Sequence, residues 1–174
     1  LLMNNSKSKI NLRELSEEEK QGYLTLVSNC VHPTLQPQLL EFFHSLKDYS
    51  DDDRYFSTFN YVLDYLEKEQ LFFIKFFDWK QDINDLEYFI DNAVQKHFEL
   101  SLSLPNSETY GAGASISSAD VLNDYDDCLR AYGLQIGCID TESDEYVLFV
   151  HKIEAIDCID EAVQIIGFDY YEID

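Results

Sequence analysis

The chain has 174 residues, of which 45% are hydrophobic and 14% aromatic; this excludes a disordered polymer and gives enough apolar surface for a core. It carries 34 acidic against 12 basic residues, a formal net charge of −22. Such a field argues against nucleic acid, whose phosphates need Lys and Arg for counterion release, and against anionic membrane, while it suits cations or a basic protein.

The first 13 residues hold Lys7, Lys9 and Arg13 and no acid, and read as a short, frayed basic terminus. Ser16-Glu17-Glu18-Glu19 has the form of a capping box, and apolar residues recur at Tyr23, Leu24, Val27 and Val31, so a helix is expected over 16–31, stopped by His32-Pro33. A second helix fits 36–47. A third starts at Asp51-Asp52-Asp53, where carboxylates suit the dipole, with Tyr55, Phe59, Val62, Leu63 and Leu66 as its stripe. No strand signal precedes residue 69, so 1–68 is expected as an N-terminal helical subdomain before an α+β domain over 69–174.

Residues 70–77 are apolar on both alternating faces except at Lys75, the pattern of a central strand covered on both sides. Helical spacing follows over 82–98, at Leu86, Phe89, Ile90, Ala93 and His97. Residues 99–104 (ELSLSL) alternate as a strand with one wet face. After the loop PNSETYGAGASISS, Ser118 is placed to cap a helix reaching Tyr132 and closed by Gly133. LQIGCID and EYVLFVHK read as strands joined by the turn Thr141-Glu142-Ser143-Asp144. Asp157 is read as the cap of a last helix through Ile166, closed by Gly167, and FDYYEI is the final strand. From residue 99 the order is β-α-β-β-α-β, the ferredoxin-like order. The expected fold is therefore α+β, a mixed sheet of about five strands with helices packed on it, preceded by a helical segment.

Cys30, Cys128, Cys138 and Cys158 form no C-x-x-C pair and sit among apolar neighbours, which predicts buried reduced thiols and a cytoplasmic setting; there is no secretory apolar core and no run of 18 apolar residues. His32, His44, His97 and His151 lack metal-site spacing. Asp140-Thr141-Glu142-Ser143-Asp144 lacks the glycine and distal glutamate of a calcium loop, so neither metal nor cofactor is expected. Gly111-Ala112-Gly113 has no following Lys and reads as a flexible loop rather than a phosphate cradle. There is no G-x-S-x-G, and no cysteine has a basic setting.

Two candidate sites remain. At Asp78-Trp79-Lys80, with Asp82 and Asp85 beyond, carboxylates and a lysine meet at a strand end and could do acid–base work or hold a ligand. The structural reading carries more weight: Trp79 covers the sheet end, Lys80 pairs with an acid, and Asp82 or Asp85 caps the helix. On the helix over 118–132, Val121, Leu122, Tyr125, Cys128, Leu129 and Tyr132 make the buried face. Asp120, Asn123, Asp124 and Asp127 lie opposite, either as a solvated face or as a surface for something basic.

The strand ending Asp78-Trp79-Lys80, the helix start at Asp82 to Leu86, then Tyr132-Gly133-Leu134 and Asp144-Glu145-Tyr146 resemble an uncharacterised bacterial family, one labelled only as a domain of unknown function, over about residues 70–174. The resemblance implies a fold unit and no catalytic residues. Asp85-Leu86, Tyr110-Gly111 and Asp127-Cys128-Leu129 are more weakly similar to barstar, the acidic inhibitor of a basic ribonuclease. That likeness implies that Tyr110 and the acidic helix face a partner enzyme, with Asn123 standing where a second acid belongs.

The function expected from the sequence is a non-catalytic, immunity-like binding module offering Asp120, Asn123, Asp124, Asp127 and Tyr110 to a basic protein. The alternative is a small enzyme or ligand-binding domain using Asp78, Trp79, Lys80 and Asp82. Oligomeric state is left open.

Overall fold

The computed structural model describes residues 11–174, so most of the basic terminus lies outside the described residues. In chain order the elements are β1 (Arg13–Glu14), α1 (Glu17–Cys30), α2 (Gln36–His44), β2 (Lys47–Asp48), α3 (Thr58–Lys68), β3 (Ile74–Asp78), α4 (Ile83–Phe98), α5 (Val121–Arg130), β4 (Leu134–Asp140), β5 (Glu145–Lys152), α6 (Ile156–Ile165) and β6 (Asp169–Glu172).

Ser16 caps α1 as expected, its hydroxyl accepting from the Glu19 N–H at 3.1 Å. Two expectations for the first third are corrected. It contains strands: β1 and β2 pair as a two-stranded antiparallel ribbon, and α2 stops at His44 so that the chain can turn into β2. The acidic triplet does not begin α3. Asp52 is buried and accepts from the Arg54 N–H (2.9 Å) and guanidinium (2.8 Å), a local turn that holds it outside the helix. Ser57 caps α3 instead, accepting from the Asn60 N–H.

Among the described residues the main sheet has four strands in the order β3-β5-β4-β6, and every neighbouring pair is antiparallel. A mixed sheet of five was expected. The fifth strand is missing because residues 99–104 pair with no strand among the described residues; Glu99 ends α4, and Leu100, Leu102 and Leu104, half-buried, lie against the core. Alternation records which side is dry, not whether a partner strand exists. The expected β-α-β-β-α-β order is not met either: from β3 the chain runs β-α-α-β-β-α-β, since both α4 and α5 stand between β3 and β4. Two split units interleave, β3 and β4 flanking β5, and β5 and β6 flanking β4.

Helices cover both faces. Phe77, Ile136, Cys138, Leu148 and Val150 pack under α4 and α5. Ile74, Ile139, Val147 and Phe149 pack under α1, α3 and α6. This double coverage explains why β4 and β5 read as continuous apolar runs. It also corrects the place of β3, which lies at the edge, with Phe76 37% exposed. The helical first third meets the sheet through α1, which crosses α6 at Gly22. A Cβ there would come within 2.7 Å of Ile166 Cγ2, so the close approach needs glycine.

One polar group sits inside the second layer. His151 is fully buried, its Nδ1–H donating to the Lys152 carbonyl (2.8 Å), which leaves Nε2 to accept from the Tyr170 hydroxyl (2.8 Å). Gln135 Nε2 donates to Tyr170 at 3.0 Å, and Gly137 lies beneath the rings.

Candidate functional site

The strand register gathers acids at one end of the sheet. Asp78, the last residue of β3, pairs with Glu145, the first of β5; Asp140, the last of β4, pairs with Asp169, the first of β6. All four are exposed, and the turn between β4 and β5 adds exposed Glu142 and Asp144. α4 starts at the same end, at Asp82 directly after β3, and the loop that leads to Asp120 and α5 returns there, bonded to the turn after β3.

At the Asp78–Asp82 junction the apolar run ends in a turn. Asp78 accepts from the Lys80 N–H at 2.8 Å, and Gln81 returns its N–H to the Asp78 carbonyl at 2.9 Å. Asp82 caps α4, accepting from the Asn84 N–H at 2.9 Å. Lys80 lays its ammonium 4.4 Å from the Trp79 ring centroid, a cation–π contact. Trp79 and Lys80 are thus brought together, while Asp78 and Asp82 are occupied with backbone donors.

The loop before α5 is sewn to that turn: the Ile116 N–H donates to the Gln81 carbonyl (3.1 Å) and the Ser117 N–H to the Trp79 carbonyl (3.3 Å). The two candidate sites read from the sequence therefore adjoin. Against Trp79 and Ser117 opens a cleft of about 610 Å³, lined also by Asp140, Asp144, Glu145, Tyr146 and Tyr171. Aromatic faces among carboxylates attract cations.

On α5, Asp120, Asn123, Asp124 and Asp127 are all exposed, as the spacing predicts. The helix begins at Val121, not Ser118, whose hydroxyl instead accepts from the Ser115 N–H. Asp120 occupies the cap with φ +69° and without a capping side-chain bond. Tyr110 reaches the helix, its hydroxyl donating to Asp124 Oδ2 at 2.8 Å; burial and then that carboxylate push the phenol above its usual range. Asn123 is tied to the chain end, donating to the Asp174 carbonyl. Gly111 and Gly113 hold positive φ in the loop between Tyr110 and α5.

Two residues of this helix differ from expectation. Tyr132, placed on the buried face, is 56% exposed. Asp126, assigned no role by the sequence pattern, is buried, accepting from the Ile136 N–H at 2.7 Å and from Arg130 Nε at 2.5 Å, so that it ties α5 to β4. Its helical position one residue after Tyr125, on the apolar side, was the available signal.

Among the described residues no group of His, Cys, Asp and Glu is arranged to hold a metal ion. His97 and His151 bond to backbone carbonyls in the interior. The four cysteines are free; burial pushes the Cys30 thiol up and the Cys138 thiol to about 12, which makes both poor nucleophiles. Cys158 is exposed and Cys128 half-exposed, against the expectation that all four are buried. No described helix is long and apolar enough to cross a membrane.

No curated protein matches the chain and no solved structure does, so the likeness to barstar gains no support from these comparisons. A family model matches residues 12–173, almost the whole chain, and thereby includes the helical first third that the sequence resemblance left out. The chain belongs to the family described as Domain of unknown function (DUF6630).

Proposed function

We propose that the protein is a non-catalytic binding module of the immunity-like kind, which captures a basic protein on its acidic sheet end and the adjoining face of α5. The observation that carries this reading is the register: Asp78, Glu145, Asp140 and Asp169 stand side by side across the sheet, and the loop that leads into α5 and its exposed Asp120, Asp124 and Asp127 is bonded to the turn after Asp78. Acids so concentrated focus the field of a chain with net charge −22, which speeds the approach of a cationic partner and makes binding fall steeply with salt. Trp79, Tyr146 and Tyr171 give the same surface aromatic anchors of the sort that concentrate binding energy. Free thiols suit a reducing, cytoplasmic setting. The enzyme or ligand-binding reading centred on Asp78, Trp79, Lys80 and Asp82 is weaker, since the two carboxylates already accept from backbone N–H groups.

The test is capture from host lysate with the intact protein and with an Asp120/Asp124/Asp127→Lys variant, at low and high salt. A basic protein held by the wild type alone, and released by salt, supports the reading. Equal capture by both proteins, or capture insensitive to salt, overturns it.

A further inference from the structure

The outer side of β3 carries a different surface. In the sheet order β3-β5-β4-β6, β3 has a partner on one side only, and among the described residues no loop or side chain bonds to the backbone of Ile74 to Phe77 from the other. An unpaired edge presents a row of N–H and C=O groups ready to bond an extended chain.

This edge is recessed. A cleft of about 320 Å³ runs beside it, lined by Leu63 and Leu66 of α3, by Phe72, Ile74 and Phe76, and by Phe89 of α4. Leu63, Leu66 and Ile74 belong to the core on one face of the sheet, and Phe72 and Phe89 to the core on the other. Both helix layers therefore extend past the last strand, leaving between them the position that a fifth strand would fill. Just before β3, Gln70 and Phe72 both have positive φ (51° and 50°), and regular pairing begins only at Ile74. Positive φ is uncommon for a bulky residue and is sustained only by its surroundings.

Charge limits what can enter. Glu67 and Asp85 stand at the cleft; Lys75 is engaged with Glu67 at 2.5 Å, and Lys96 is held over the Phe72 ring, donating to the Gln70 carbonyl at 3.0 Å. A second copy of this chain, joined edge to edge about a two-fold axis, would set the same acids against themselves and bring together two chains of net charge −22. A basic segment has no such penalty and can replace Lys75 as the partner of Glu67.

We infer that the cleft beside β3 is a docking site for an extended, basic segment of another protein, which adds to the sheet as a fifth strand, places alternate apolar side chains between α3 and α4, and pairs its Lys or Arg residues with Glu67 and Asp85. Backbone bonding gives such a site affinity, and the alternating pockets give it specificity. This surface is separate from the acidic sheet end and stands or falls without it.

The test begins with a random-decapeptide phage library selected on the full chain, counter-selected on a Phe76→Glu variant whose folding is verified by circular dichroism. Enriched peptides are expected to be basic with apolar residues at every second position. A synthesised peptide is then titrated by fluorescence anisotropy. N-methylation of the alternate residues that bond β3 should weaken binding by at least about tenfold, since more than one hydrogen bond is lost, while methylation of the intervening residues changes it by less than about twofold. Phe76→Glu should weaken binding similarly, and Asp120/Asp124/Asp127→Lys should leave it intact, which separates this site from the acidic sheet end. The inference is overturned by no enrichment over Phe76→Glu, by acidic or helix-periodic peptides, by indifference to methylation, or by a wild-type dimer in sedimentation that Phe76→Glu dissolves, since a second copy would then fill the cleft.

Discussion

Gly137→Ala is the substitution that most directly probes the packing. Gly137 lies in the middle of β4, where a Cβ would sit 2.8 Å from Phe149 Cζ, 2.8 Å from Tyr170 Cε2 and 2.9 Å from His151 Cδ2. These are rigid rings, not flexible chain ends. Phe149 and His151 are fully buried, and His151 is held at both nitrogens. One methyl group must therefore displace three rings, an overpacking cost of about 1–3 kcal/mol. If the His151–Tyr170 bond is broken, about 1 kcal/mol more is lost. Against this, Ala restricts the unfolded chain, which returns about 0.5 kcal/mol. With that bond broken the net is a loss of about 1.5–3.5 kcal/mol, or roughly 3–14 °C in Tm for a chain of this length. Urea unfolding and calorimetry of wild type and variant measure it. A double-mutant cycle with Phe149→Leu, which removes the nearest ring atom, should show the two changes partly cancelling. An unchanged or raised Tm, or strict additivity in the cycle, would refute the ring-contact explanation.

Other outcomes follow from single groups. Burial lowers the pKa of His97 and His151, outweighing the carbonyl bonds that favour their charged forms. The unfolded chain therefore takes up protons that the folded one refuses once the pH falls below about 6.5, so stability is full above that pH and declines below it, by up to about 1.4 kcal/mol per pH unit for each histidine. Thermal melts from pH 8 to 5.5 should show the decline, made shallower by His97→Gln; a flat or rising Tm would contradict it. Glu99 ends α4 in the left-handed region at φ 55°, where its N–H and that of Leu100 both reach the Val94 carbonyl. Glu99→Gly should raise stability by about 0.5–1 kcal/mol in urea unfolding, and a loss would mean that the His32–Glu99 contact matters more than the backbone. Asp126→Ala leaves the buried Ile136 N–H without its acceptor and Arg130 with Glu172 alone, and should cost about 2–3 kcal/mol, whereas Asp127→Ala, one residue on and exposed, should change Tm little.

What the sequence determined by itself is everything with a local cause. The Ser16 cap, the Asp82 start of α4, the left-handed glycines at 133 and 167, and the bounds of β4 and β5 each follow from a side chain acting on nearby backbone or from a period carried through one element. The α+β class followed from those pieces, and so did the exposure of Asp120, Asn123, Asp124 and Asp127, since helical spacing alone separates them from Val121, Tyr125 and Leu129. Tertiary structure decided the rest. Residues 70–77 and 99–104 carry apolar patterns that fit a strand, yet only β3 finds a partner and only on one side, because pairing depends on which strand lies next in space. Asp52 and Asp126 have the same chemistry as their exposed neighbours and differ only in meeting Arg54, or Arg130 and the Ile136 N–H. The alignment of Asp78, Glu145, Asp140 and Asp169 comes from four strands brought into register across more than ninety residues of chain, a relation that no local rule contains.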